Sequence, residues 1–201
     1  KKPLIVFEGI EGSGKSLHLN NVANFLRKNK IKFIKIREPG GSKNSEKIRN
    51  LILNNKSTFN KNTDLLLYLS ARSENIELIK KNLGKKIILI DRFVDSTIAY
   101  QHYGMSVDIR LIKIINDFLL KGVTINFTFL NVVNQKNMLE RLKKRKKLNR
   151  YDKFTNLFYK KVQKGFLKIL KLNPKKYMKI DSNLSIIENK KIILNKIEDL
   201  I

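Results

Sequence analysis

Residues 9–16 read Gly-Ile-Glu-Gly-Ser-Gly-Lys-Ser, an unbroken match to G-x-x-x-x-G-K-[ST]. A short apolar run, Pro3 to Glu8, precedes them, and an amphipathic stretch follows from Lys15 to about Asn29. Strand, glycine-rich turn and helix in that order form a cradle for phosphate. The glycines let the backbone curl so that its N–H groups converge on an anion, and the helix N-terminus adds partial positive charge. Gly9, Ile10, Glu11, Gly12, Ser13, Gly14, Lys15 and Ser16 are therefore the expected triphosphate site. In it Lys15 reaches the β- and γ-phosphates and the Ser16 hydroxyl is placed to ligate Mg²⁺. Glu11 is the anomaly, a carboxylate within a loop built for anions.

A phosphate loop at the end of a first strand demands βα units, and the rest of the chain supplies them. Strands are expected at Ile31–Ile36, over "KIILID" ending at Asp91, over "INFTFLN", and over "KKYMKID". Helices are expected at Ser45–Leu53, at Thr63–Asn82 with Gly84 just past its end, from about Asp95, and over Val107–Leu120. Three more follow: a very basic one over Gln135–Lys147, an amphipathic one to about Leu170, and Ile186–Leu200 at the end. The expectation is an α/β fold, a five-stranded parallel sheet with helices on both faces. No linker divides residues 1–201, and only the polar stretch of about 141–153 reads as a lid.

The 201 residues carry 43 Lys+Arg against 17 Asp+Glu, a net +26. Clustered cations would suggest a nucleic-acid surface. Here the lysines are spread from end to end among Asn and Ile, which reads as compositional bias, and nucleic acid is not the expected partner. Anionic small substrates are favoured by such a field in either case. There is no cysteine, so no disulfide and no thiolate metal site. The apolar run after Lys1 is too short for a signal peptide or membrane span. A cytoplasmic location is expected, with no membrane partner. GTPase switches need D-x-x-G and N-K-x-D, and neither string occurs. A small phosphotransferase or a small regulatory ATPase remains.

Three further stretches narrow the choice: "REPGGSKNSEKIRNLIL", "LLLYLSARSENIELI" and "LIDRFVDSTIAYQHYG". Each sets Arg, Glu, Tyr or Gln at strand carboxyl ends or on a facing helix, where doubly wound sheets bind ligands. With "FEGIEGSGKS" and the late "RLKKRKKLNRYD", in this order over essentially the whole chain, they resemble the thymidylate kinase family in its bacterial form. The resemblance implies the phosphate-loop nucleoside monophosphate kinase fold and transfer of the γ-phosphate of ATP to dTMP, giving dTDP for DNA precursor synthesis. It also implies Mg²⁺ as cofactor and a homodimer. A kinase of another nucleoside monophosphate, or a nucleic-acid-binding ATPase, is the alternative.

Carried onto this chain, the resemblance assigns Arg92 to the dTMP phosphate, for which a guanidinium fork is suited. Asp91 is expected either to hold a water on Mg²⁺, together with Ser16, or to orient the acceptor phosphate. Tyr68 and Arg72 lie four apart and so share a helix face. There the ring would stack on the base and the guanidinium would read a thymine carbonyl, unless Tyr68 belongs to the core with Leu65 and Leu69. Ser96, Thr97, Tyr100 and Gln101 are expected around base and sugar, with Tyr100 crowding the 2′ position. Glu38 and Pro39 border the monophosphate, and Glu38 reaches it or Mg²⁺ through water. Arg49 is a further candidate for a phosphate, and His102 reads as a bystander. Glu11 would meet the 3′-hydroxyl of dTMP.

An arginine supplied to the transferring phosphoryl group accelerates such reactions by about 10³–10⁵. Some members of the family place a basic residue in the loop just after the acidic position. The bacterial type supplies it from the lid. Gly12 follows Glu11 here, so the lid is the expected source, with Arg145 and Arg150 as catalytic candidates, Arg141 nearer the adenine and Tyr151 closing over the base. Asn149 and Asp152 depart from the usual Asp and Glu of the family and leave the choice between the arginines open.

Overall fold

The computed structural model describes residues 2–146 and 148–201. Strands β1 (Leu4–Glu8), β2 (Phe33–Arg37), β3 (Ile87–Asp91), β4 (Phe127–Val132) and β5 (Tyr177–Asp181) form one parallel sheet in the order β2-β3-β1-β4-β5. The central strand sets Val6 opposite Ile90 on one side and Thr128 on the other. Strands β1 and β3 are almost wholly apolar because both faces are covered, the usual condition of a parallel sheet.

Their side chains alternate between two helical layers. Ile5, Phe7, Leu89 and Phe129 pack on Leu19, Val22 and Leu26 of α1 (Lys15–Lys28) and on Ile193 and Ile197 of α8 (Ile186–Leu200). Leu4, Val6, Ile88 and Ile90 pack on Ile76 and Ile79 of α3 (Lys61–Asn82). A third cluster lies at the loop end of the sheet. It joins Ile10, Tyr100 and Leu130 to Met138 and Leu142 of α6 (Gln135–Lys143) and to Tyr159 and Phe166 of α7 (Asn156–Leu172).

Caps account for the helix starts. The Ser42 side chain accepts from Ser45 N, so α2 (Lys43–Leu53) begins before Ser45, and Asn60 caps α3 at Lys61 rather than Thr63. Asp108 caps α5 (Ile109–Leu119). The stretch from Asp95 is a single turn, α4 (Val94–Thr97), that widens into a π-helical segment over Ile98–Gly104. The basic helix expected to reach Lys147 stops at Lys143, and Lys147 itself lies outside the described residues, as does Lys1. Continuing it would stack like charges at helical spacing, which is unfavourable. Instead Asn149 and Asp152 close a capping box that opens a short turn over Arg150–Lys153.

Candidate active site

The loop after β1 curls as its sequence demands. Gly9 has φ +140°, and a Cβ there would overlap the carbonyl oxygen of Asn131 on β4. Lys15, at the start of α1, is almost fully buried, with Nζ 3.4 Å from the carbonyl oxygen of Ile10. Burial and the nearby Arg92 push its ammonium down to about 8, against the pull of Asp91 and Glu11. The Ser16 hydroxyl donates to Asp91 at the end of β3. Arg141 of α6 braces the loop from outside, donating to the carbonyls of Gly12 (2.9 Å) and Ser182 (2.7 Å).

Facing this loop stands Arg92, a non-glycine residue at φ +65°. Its Nη2 donates to Glu11 at 2.8 Å, its Nη1 lies 3.4 Å from the Ser96 hydroxyl, and its guanidinium sits 5.0 Å from the centre of the Tyr100 ring. The Tyr100 hydroxyl donates to the other oxygen of Glu11. Burial works to raise the Glu11 carboxyl, but Arg92, Lys15 and the Tyr100 hydroxyl outweigh it and hold the group below the ordinary range. The loop's carboxylate is thus turned toward the wall that carries Arg92 and Tyr100.

Glu8, the last residue of β1 and fully buried, holds that wall in place. It accepts from Phe93 N (2.8 Å), Ser96 N (3.2 Å) and the Ser96 hydroxyl (2.5 Å). Burial and nearby Asp95 push it up to about 7. Asp95 itself, raised to about 6 by burial, accepts from the Tyr177 hydroxyl at 2.7 Å.

The far wall is built around Arg72 of α3, 1% exposed. It donates to Glu38 (2.8 Å), Asn116 (2.6 Å), the carbonyl of Phe93 (2.9 Å) and Thr97 (2.9 Å). Glu38 accepts from Arg72 and from Asn75 (3.4 Å), and burial keeps its carboxyl raised despite Arg72. Pro39 follows Glu38 through a cis peptide, and its carbonyl accepts from Arg49 at 2.6 Å. Above them Tyr151 stands edge-on to Tyr68, with ring centres 5.8 Å apart, and Gln101 Nε2 is 3.4 Å from the Tyr151 hydroxyl. Tyr68 packs against the third apolar cluster, away from Leu65 and Leu69, which belong to another.

The two lid arginines part company. Arg145 borders the cleft and pairs with Asp152. Arg150 turns away to Asp64 of α3 and to the carbonyl of Ile52 (3.0 Å). The His102 Nδ1 sits 2.8 Å from the carbonyl of Val107, clear of the cleft lining.

Between these walls lies a cleft of about 210 Å³. Glu11, Lys15, Ser16 and Asp91 line it together with Arg92, Ser96, Thr97, Tyr100 and Gln101, with Glu38, Pro39, Tyr68 and Arg72, and with Arg145 and Tyr151. Sequence reasoning passed over Glu8, Asp64, Asn75 and Asn116, whose partners lie dozens of residues away. The available signal was their polarity within apolar runs.

A parallel sheet whose central strand feeds a phosphate loop, facing a second cationic anchor across one cleft, defines a small phosphate-loop kinase of nucleoside monophosphates. A family model described as thymidylate kinase matches residues 7–193. The chain is 39% identical to the thymidylate kinase of Thermosipho africanus over 184 residues, covering 90% of each chain, and 34% identical to that of Kosmotoga olearia, covering 90% of this chain and 88% of that one. The crystal structure of thymidylate kinase from Ehrlichia chaffeensis superposes with a TM-score of 0.77 at 31% identity, over 98% of both chains. The chain belongs to the thymidylate kinase family.

Proposed function

We propose that this chain transfers the γ-phosphoryl group of ATP to dTMP, releasing dTDP and ADP in the cytoplasm. The observation that carries the reading is the opposition of Lys15 and Arg92 across one cleft, with Glu11 between them. Two polyanions must meet there, and catalysis is mostly positioning and charge stabilisation with water excluded. The loop N–H groups and Lys15 hold the donor phosphates, and Arg92 holds the acceptor phosphate. An oxygen of dTMP attacks the γ-phosphorus, the bond to the β-bridging oxygen breaks, and ADP leaves. Arg145, reaching the cleft from the lid, meets the charge on the moving group, while Arg141 borders the adenine side. Glu11 faces the sugar hydroxyl and Tyr100 the 2′ position. Tyr68, Tyr151, Gln101 and Thr97 surround the base.

The donor end fits Mg²⁺. Ser16 and Asp91 offer hard oxygens, and the buried Asp91 Oδ1 has no hydrogen-bond partner among the described residues. No cluster of three metal-ligating side chains occurs among them, which suits an ion that takes most of its ligands from phosphates and water. Bound there, the ion would neutralise charge on the β- and γ-phosphates.

A homodimer is supported by an apolar stripe on two adjacent helices. Leu66 of α3 and Ile114 and Phe118 of α5 are 53%, 68% and 78% exposed. The test of the reaction is ADP release from Mg-ATP with dTMP, dUMP, UMP, CMP, AMP and GMP offered separately. Preference for dTMP is expected, and equal rates with the other monophosphates would overturn the substrate assignment.

A further inference from the structure

Asp64 has no role in the mechanism above, yet it joins two consecutive lid residues to the body of the protein. A carboxylate in the first turn of a helix is favoured by the helix dipole alone and ordinarily faces solvent. Asp64 lies in the first turn of α3 but is 2% exposed, and consecutive lid residues take both its oxygens. Arg150 Nη2 donates to Oδ1, and the Tyr151 hydroxyl donates to Oδ2 at 2.5 Å.

From that point a chain of contacts leads back to the cleft. The turn at 149–152 is closed on itself: Asp152 Oδ2 accepts from Asn149 N (3.0 Å) and Nδ2 (2.7 Å), and Asn149 Oδ1 accepts from Tyr151 N (2.8 Å). The other oxygen of Asp152, whose side chain is fully buried, pairs with Arg145. Arg150 Nε meanwhile holds the last turn of α2 through the Ile52 carbonyl, and Tyr159 donates to the Tyr151 carbonyl at 2.5 Å. Arg145 therefore reaches the cleft from a turn whose fixed end is one buried carboxylate on α3.

We propose that Asp64 is the positioning residue of the lid: by holding Arg150 and Tyr151 it sets where Arg145 stands. This rests on the kinase reading for its catalytic consequence. Misplacement of a catalytic group by about 1 Å costs on the order of 10²-fold in rate. Asp64→Asn keeps the shape and removes the charge that pairs with Arg150, and Arg150→Gln cuts the same pair from the lid side with α3 untouched.

Both variants are expected to lower kcat about 30- to 100-fold, with KM for ATP within about threefold. In either background Arg145→Ala should cost far less than in the parent, because Arg145 is already displaced. Hydrogen exchange, which needs no turnover, should quicken at the amides of 148–154 and stay unchanged in α1. Unchanged exchange there in both variants, or losses that simply add to that of Arg145→Ala, would overturn the proposal. If the parent failed to phosphorylate dTMP, the substrate reading would fall while the exchange comparison would still decide the anchoring.

Discussion

Arg92 and Glu11 are joined by a 2.8 Å ion pair across the cleft, so the cation assigned to the acceptor phosphate is aimed by a residue of the donor loop. The loop after β1 and the end of β3 are thereby held in register. The left-handed backbone of Arg92, with its N–H bonded to the Phe7 carbonyl at 3.0 Å, fixes the same relation from the main chain.

Replacing Arg92 by Ala should raise KM for dTMP about 100-fold and move KM for ATP much less, since it removes a buried charge-assisted anchor from one substrate only. Lys at the position should restore little, for it lacks the fork that meets phosphate and carboxylate together. Steady-state kinetics with each substrate varied in turn gives the comparison. An equal rise in both constants would mean that Arg92 serves the shared centre instead.

Lys15 should impose an alkaline limit. Its ammonium is pushed down to about 8, and only the protonated form attracts phosphate. The value of kcat/KM for ATP, which reports the free enzyme, should therefore fall about tenfold per pH unit above about 8. Bound triphosphate favours the charged form, so kcat should hold to higher pH. Coincident profiles would assign the limit to another group.

Glu8 makes stability depend on pH with a definite sign. Its carboxyl titrates near 4.5 when unfolded and about 7 in the fold, raised by burial and by Asp95. The native state then binds the extra proton, and this contribution is full below about 4.5 and is lost as pH rises to about 7. Glu8→Gln, which keeps the acceptor for Phe93 N and Ser96 N, should flatten Tm across that window relative to the parent. Parallel curves would show that no proton is taken up there.

Phe118 and Ile114 on α5 are open to solvent. Phe118→Glu should convert a dimer to monomer in sedimentation while leaving the monomer folded, because the side chain supports no core of its own chain. A parent that already sediments as a monomer would remove the dimer reading.

The fold was legible because spacing is local information. A loop motif after an apolar strand, then alternating periods, fixes a parallel sheet without knowledge of distant contacts. The loop end of the sheet was legible for the same reason: Lys15 and Ser16 open the helix after the loop, and Asp91 and Arg92 stand at the end of a strand. What stayed hidden were carboxylates with distant partners. Asp64 looks like an ordinary first-turn acid until Arg150, 86 residues on, turns to it. Glu8 looks like the polar end of a strand until the backbone of Phe93 arrives. Arg72 was legible as functional, but its partners were not, since Glu38, Asn116 and Thr97 come from three other segments to hold it. "IAYQHYG" carries no mark of its wider helical turn, whose carbonyl of Tyr100 receives Met105 N at 2.9 Å.

Gly12 has φ +69°, and a Cβ on it would stand 3.1 Å from the Met138 carbonyl oxygen and 3.6 Å from Arg141 Cβ. A side chain at position 12 would hold a left-handed backbone and would need the Met138 backbone to give by a few tenths of an ångström. Any residue but glycine is therefore costly there, and the loop and α6 constrain one another where they meet.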